Sequence, residues 1–179
     1  MPARTVTPGY VVVHPNRERP SCRRTRLLVV AALVASAALI LTITIGGWSE
    51  LQGLRPVDLA WAAVYLLLAF HAGRWARGPL PIAAVLACLL LAFSAISILG
   101  LDGTSWFARR SAGYAPARAL LGGAGLSDTA LGVLTLAVIF VQALLAAAAM
   151  VGFSQRWSME LEVPAQAPAG TAGERRAAA

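Results

Sequence analysis

The stretch LLVVAALVASAALILTITI, residues 27–45, decides the fold class of this chain. It contains no charged side chain, and an α-helix of about 20 apolar residues is long enough to cross the roughly 30 Å hydrocarbon core of a bilayer. Arginines precede the run, and Trp48 follows it after two glycines, at the level where a bilayer has its headgroups. We therefore predict a transmembrane helix over about residues 27–46.

A cleaved signal peptide would show a similar plan, with a basic stretch before an apolar run. The apolar run here exceeds the usual length of about 7–15 residues, and its end at Thr42–Ile45 lacks a small-residue cleavage pattern. The pair Arg23-Arg24 fits a twin-arginine signal only in part, because Arg26 and a strongly apolar core follow it. We expect the segment to remain as a membrane anchor.

The overall composition also indicates a chain that is largely surrounded by lipid. Hydrophobic residues make up 58% of it and charged residues 13%, whereas a soluble domain carries about 25% charged residues. All 15 basic residues are arginines, and the formal net charge is +7. Because no recognition motif for nucleic acid accompanies them, we expect the lipid bilayer, and not nucleic acid, as the partner. The arginine- and alanine-rich composition suggests a bacterial source.

Two later uncharged runs are each long enough to cross a bilayer with some tilt. They predict spans over about residues 79–101 and 128–154. Pro81 stands near the start of the first run, and Ser127 precedes the second as a candidate N-cap.

The remaining span, predicted over about residues 57–76, is the weakest of the four. Only about 15 uncharged residues separate Asp58 from Arg74, which is roughly 22 Å of helix. The segment crosses only if its charged ends reach the interfaces. The alternative is a helix that lies on the membrane or re-enters it.

The distribution of arginines separates the two topologies. Four spans with the N-terminus inside place eleven arginines on the cytoplasmic side and four outside, whereas three spans give nine and six. The positive-inside rule prefers the larger asymmetry. We therefore predict an all-α, four-transmembrane-helix bundle in the plasma membrane, with both termini cytoplasmic.

The segments outside the spans are predicted from their composition. Residues 1–26 are expected to be a disordered, basic cytoplasmic tail, and residues 157–179 a cytoplasmic tail that is disordered after Leu161–Pro164. Residues 102–127 form an external loop with a candidate interfacial helix carrying three aromatic residues. A second short helix is expected between Pro116 and Gly123, with a proline start and a glycine stop. The three aromatic residues are Trp106, Phe107 and Tyr114.

Polar side chains inside the spans are few, and none is charged near a span's centre. Gln142 is placed deepest, with Thr135 on the same helix face; a buried amide of this kind more often bonds a neighbouring helix than a ligand. Ser94 and Ser97 are its expected partners, so these four residues are the candidate interhelical polar contacts. Three further residues are candidates for an interfacial or functional role, namely Asp58, Tyr65 and His71.

No catalytic, cofactor-binding or metal-binding constellation is recognisable in the sequence. The favoured hypothesis is a non-enzymatic subunit, assembly factor or scaffold that acts through helix packing, with other membrane-protein subunits or further copies of the chain as partners. The alternative is a small transporter or channel that works as an oligomer. A lipid-acting membrane enzyme ranks third.

The predicted orientation has a direct test. A reporter domain fused after Arg77 should give a cytoplasmic signal, because the arginine balance places the second connection inside. An external signal at this position would contradict the four-span topology.

Overall fold

The computed structural model describes residues 10–100, 105–157 and 159–164. Four of its helices are long and apolar enough to cross a membrane, which confirms the predicted all-α class and the four spans. The elements in chain order are β1 (Tyr10–Val13), α1 (Pro15–Glu18), α2 (Pro20–Gly46), α3 (Arg55–Gly73), α4 (Pro79–Leu99), α5 (Trp106–Ser111), α6 (Asp128–Ser154) and β2 (Leu161–Pro164).

Two of the spanning helices begin earlier than the apolar pattern predicts. Helix α2 begins at Pro20, because proline fits a first helical turn and the arginines after it extend the helix beyond the apolar run. Helix α3, the weakest prediction, has 19 residues from Arg55 to Gly73. At 1.5 Å per residue it is about 28 Å long, close to the thickness of the hydrocarbon core.

The four spanning helices alternate in direction, and the first two connections between them are short. Helix α2 packs against α3 and α6, α6 also packs against α4, and α3 and α4 touch only slightly. Side-chain contacts bring the N-terminal ends of α2 and α4 beside the C-terminal ends of α3 and α6. We call this end of the bundle the basic end, because eight of the described arginines belong to it: Arg17, Arg19, Arg23, Arg24, Arg26, Arg74, Arg77 and Arg156.

Aromatic packing closes the basic end. The Trp157 side chain is fully buried, and its ring meets that of Trp75 edge to face at a centroid distance of 5.8 Å. The Arg26 guanidinium lies 4.3 Å from the centroid of the Trp75 ring and donates to the Gly73 carbonyl at 3.0 Å. These contacts hold Trp75 at a φ of 64°, a left-handed conformation that is costly for an aromatic residue.

The described parts of both tails also lie at this end and pair with each other, although the sequence predicts disorder for residues 1–26. Strand β1 runs antiparallel to β2, with Val11 opposite Val163. The Asn16 amide donates to the backbone carbonyls of Gln155 and Arg156 at 3.2 and 3.1 Å. Neither segment reveals this order from its own composition, because its hydrogen-bonding partner lies at the other end of the chain. The rest of the predicted tails lies outside the described residues.

At the opposite end, the loop before α6 docks onto the C-terminus of α2. The amides of Leu120 and Leu126 donate to the carbonyls of Ile45 and Gly46, at 3.1 and 2.9 Å. These bonds satisfy carbonyls that a helix end leaves without partners. The helix predicted between Pro116 and Gly123 is therefore wrong: this segment forms turns and an isolated bridge, with Gly122 and Gly123 at φ values of 87° and 91°.

The candidate interfacial helix of this loop corresponds to α5, but α5 packs on the bundle. Ser105 caps it by accepting a hydrogen bond from the Ala108 amide at 3.0 Å. Trp106 is buried with Leu131, and the Phe107 ring lies against Gly132 of α6. Tyr114, the third aromatic residue, is 60% exposed. The expected helix with three aromatic residues does not form, because only Trp106 and Phe107 belong to α5.

Gly125 gives a test of the docked loop. A methyl group at this position would collide with the Gly46 carbonyl oxygen and would lie 2.6 Å from that of Ala117, and backbone atoms cannot move aside as a side chain can. We expect Gly125→Ala to lower the free energy of unfolding in detergent micelles by about 1–3 kcal/mol. Gly53→Ala, which meets open space, is the matched control. Equal stability of the two variants would contradict the docking.

Candidate functional site

Three polar side chains meet in the middle of the bundle. The Gln142 amide nitrogen on α6 donates to Ser36 Oγ on α2 at 2.9 Å, and the Tyr65 hydroxyl on α3 donates to Gln142 Oε1 at 2.8 Å. Ser36 Oγ in turn donates to the Ala32 carbonyl at 2.7 Å. All three side chains are fully buried. We call this group the central polar network; each residue lies near the middle of its helix, so the network joins α2, α3 and α6 at half height.

The partners of Gln142 differ from those expected. The sequence predicts Ser94 and Ser97, but α4 lies on another side of α6, and the amide faces α2 and α3. Ser36 was missed, although it is the one hydroxyl within the alanine-rich middle of the first apolar run. Tyr65, predicted as an interfacial or functional residue, belongs to the interior network.

Two of the other predicted residues lie outside this network. His71 is exposed near the end of α3, with Nδ1 2.9 Å from the Leu67 carbonyl of its own helix. Thr135 donates to the Leu131 carbonyl at 2.8 Å, also within its own helix. Neither forms an interhelical hydrogen bond to a described residue.

A cavity lies at the end of the bundle opposite the basic end, between α2, α3, α4 and α6. Its volume is about 160 Å³, and it continues into a groove of about 420 Å³ between α3 and α4. Trp106 of α5 lines it as well. The polar lining residues come from all four spanning helices and are Thr44, Asp58, Ser94, Ser97 and Thr135. The structure thus brings together four residues that the sequence singled out, and adds Thr44.

The carboxylate of this cavity has one described hydrogen-bond partner. Thr44 Oγ1 lies 3.3 Å from Asp58 Oδ2 and 2.8 Å from the Ile40 carbonyl oxygen. Among the described residues no arginine or histidine lies within ion-pair distance of Asp58. A carboxylate at the edge of an apolar bundle is therefore left without a counter-charge from the part of the chain that the structure describes.

The two serines of α4 are also unpaired. Among the described residues, five hydroxyls on the spanning helices bond to the carbonyl four residues back, which is the usual arrangement for a hydroxyl in an apolar helix. Ser94 and Ser97 make no hydrogen bond within the described ranges, although Ser94 is only 7% exposed. Both side chains line the cavity, so their hydroxyls are available to a ligand there.

The described residues contain no group of three or more His, Cys, Asp or Glu side chains that could hold a metal ion. No family model, no curated protein and no solved structure matches this chain. The fold defines the chain as a small polytopic membrane protein with four apolar helices. Because helix bundles serve many unrelated functions, any finer inference depends on the polar sites and the exposed faces.

The central polar network predicts a specific loss of stability. Tyr65→Phe removes the donor to Gln142 Oε1 with little change in volume, and an interhelical hydrogen bond in a membrane contributes about 0.6 kcal/mol on average and about 1.7 at most. We expect a decrease of this size in the unfolding free energy, measured by SDS titration in mixed micelles. Tyr114→Phe, at an exposed loop position, should leave it unchanged. Equal effects of the two substitutions would contradict the network.

Proposed function

We propose that the protein is a non-enzymatic subunit, assembly factor or scaffold of a bacterial plasma membrane, and that it acts by packing α4 and α6 against a helix of another membrane protein. The observation that carries the proposal is the exposure of α4. Only 17% of the residues in its most apolar stretch are buried, against 39% in α2 and 33% in α6. This helix therefore presents most of its surface to whatever surrounds the bundle.

The exposed face contains a groove that fits a helix. It has a volume of about 520 Å³, lies between α4 and α6 near the basic end, and is lined by apolar side chains. Ala84 and Cys88, one turn apart on α4, form its floor, and Met150 and Phe153 of α6 line its other side. Small residues at this spacing allow close helix approach, which is the main source of association between helices in lipid.

The proposed orientation has both termini in the cytoplasm. The arginines support it, because the basic end carries twice as many of the described arginines as the opposite end, where Arg55, Arg109, Arg110 and Arg118 lie. In this orientation the paired β1 and β2 strands and Trp157 face the cytoplasm, and α5 with the docked loop lies outside.

A transporter or channel that works as an oligomer is the second candidate, and the hydroxyl-lined cavity favours it. Ser94, Ser97 and Thr135 would line part of its pathway. Gln142 would not, because it is fully buried and both polar atoms of its amide are engaged in the central polar network. A lipid-acting enzyme is the third candidate, with no described group of residues in its favour.

The packing proposal is tested in native membranes through Cys88, which is exposed, while Cys22 is buried. A thiol-reactive photo-crosslinker attached at Cys88 should capture one stoichiometric partner. We expect Ala84→Leu, which fills the groove, to reduce this capture at least about fivefold, since close approach is lost. Ala63→Leu, the same change on the exposed side of α3, should have no effect.

Two results would contradict the proposal. One is equal capture by both leucine variants. The other is a purified particle that contains only this chain as a homo-oligomer, which would favour the transporter or channel.

A further inference from the structure

We propose that the cavity opposite the basic end binds the primary ammonium head of a single-chain amphiphile, whose alkyl tail lies in the groove between α3 and α4. This inference is independent of the packing proposal, because the groove that includes Cys88 lies near the basic end and shares no lining residue with this cavity. It concerns a binding site, and it applies to a scaffold as well as to a transporter.

The polar groups of the cavity match an ammonium ion. Asp58 supplies a negative charge without a described counter-charge, and Ser94 and Ser97 supply hydroxyl oxygens without described donors. A primary ammonium carries one positive charge and three N–H donors. One such group therefore has enough donors to pair with the carboxylate and to bond both serines.

The same lining excludes a phosphate-bearing head. None of the described residues that line the cavity or the groove is basic. Arg55, the arginine nearest to Asp58 in sequence, is directed elsewhere: its Nε donates to the Trp48 carbonyl at 2.7 Å, and its guanidinium lies 4.5 Å from the centroid of the Trp48 ring. A phosphate beside the ammonium would thus meet the Asp58 carboxylate without a compensating cation.

The groove supplies the place for an alkyl tail. Its side chains are almost all apolar, and several are open to the surroundings of the bundle: Val57 is 50%, Phe93 58% and Ile96 48% exposed. Trp61 and Phe93 contact each other edge to face at 6.4 Å across it. Because α3 and α4 touch only slightly, an amphiphile can enter between them from the bilayer.

Helix α5 lies at the end of the cavity. Trp106, only 8% exposed, is part of its lining. Arg109 holds α5 in place through an ion pair with Glu50, and its guanidinium lies 5.8 Å from the centroid of the Trp106 ring. Because the cavity continues into the apolar groove, a ligand with a polar head and an apolar tail suits the site better than a water-soluble amine.

The test uses the full chain in dodecyl maltoside micelles and radiolabelled dodecylammonium as the probe, with binding followed by scintillation proximity. We expect saturable binding of one probe per chain. Asp58→Asn should weaken it at least about tenfold, because a charge-assisted contact is lost. Glu162→Gln, the same kind of change at an exposed position of the basic end, should leave it unchanged. Ser97→Leu keeps the charge and fills the cavity, so it should abolish binding even if Asp58→Asn fails to fold.

Competitors of matched chain length define the head group. Unlabelled dodecylammonium should compete best, dodecyltrimethylammonium should compete less well because it has no N–H donor, and dodecyl sulfate should not compete beyond its effect on the micelle. Binding that does not saturate, or that persists unchanged in Asp58→Asn and Ser97→Leu, would overturn the proposal. Strong competition by phosphatidylethanolamine, which carries a phosphate beside its ammonium, would contradict the inference that the head group of the ligand carries no phosphate.

Discussion

The central polar network constrains the arrangement of the helices more than any other contact. In lipid, apolar side chains gain little from contacting each other instead of the surrounding chains, so a bundle of alanine and leucine helices has little to fix its rotation and register. Gln142 fixes the rotation and register of these helices, because its side-chain oxygen accepts a hydrogen bond, its side-chain nitrogen donates one, and the two atoms need different partners. Tyr65 donates to the first and Ser36 accepts from the second, and both conditions are met in one relative placement of α2, α3 and α6.

Helix α4 lies outside this network, and the two proposed binding regions follow from that position. It is held by α6 on one side and touches α3 only slightly on the other. Its free surface near the basic end forms the groove at Cys88, and the gap at the opposite end becomes the cavity beside Asp58. The two ends of the bundle are secured by other contacts, the Trp75–Trp157 pair at one and the loop docked on Gly46 at the other.

The sequence predicts the number and approximate limits of the spanning helices well, because length and hydropathy determine them. It also singles out Gln142, whose side chain is fully buried between the helices. It does not identify the partners of Gln142, since which faces of two helices meet depends on packing between segments far apart in the chain. The strand pairing of Val11 with Val163 was missed for the same reason.

The lining of the cavity could not be predicted from the sequence for the same reason. Asp58, Ser94, Ser97 and Thr135 were each noted as polar residues at or inside a span, but their convergence requires the alternating helix directions and the gap between α3 and α4. Thr44 was not noted as a candidate, because at the end of an apolar run a threonine gives no sign of whether it faces a neighbouring helix or lipid. Its contact with Asp58 is visible only in the folded bundle.

A double-mutant cycle between Ser36→Ala and Tyr65→Phe tests the central claim most directly. The two side chains share no hydrogen bond, and each bonds Gln142, so any coupling between them must pass through its amide. Members of one hydrogen-bond network show interaction energies of about 0.5 kcal/mol or more. The unfolding free energy of the double variant should therefore depart from the sum of the single effects by at least about that amount. Additive effects, within about 0.3 kcal/mol, would contradict a network that joins the three helices.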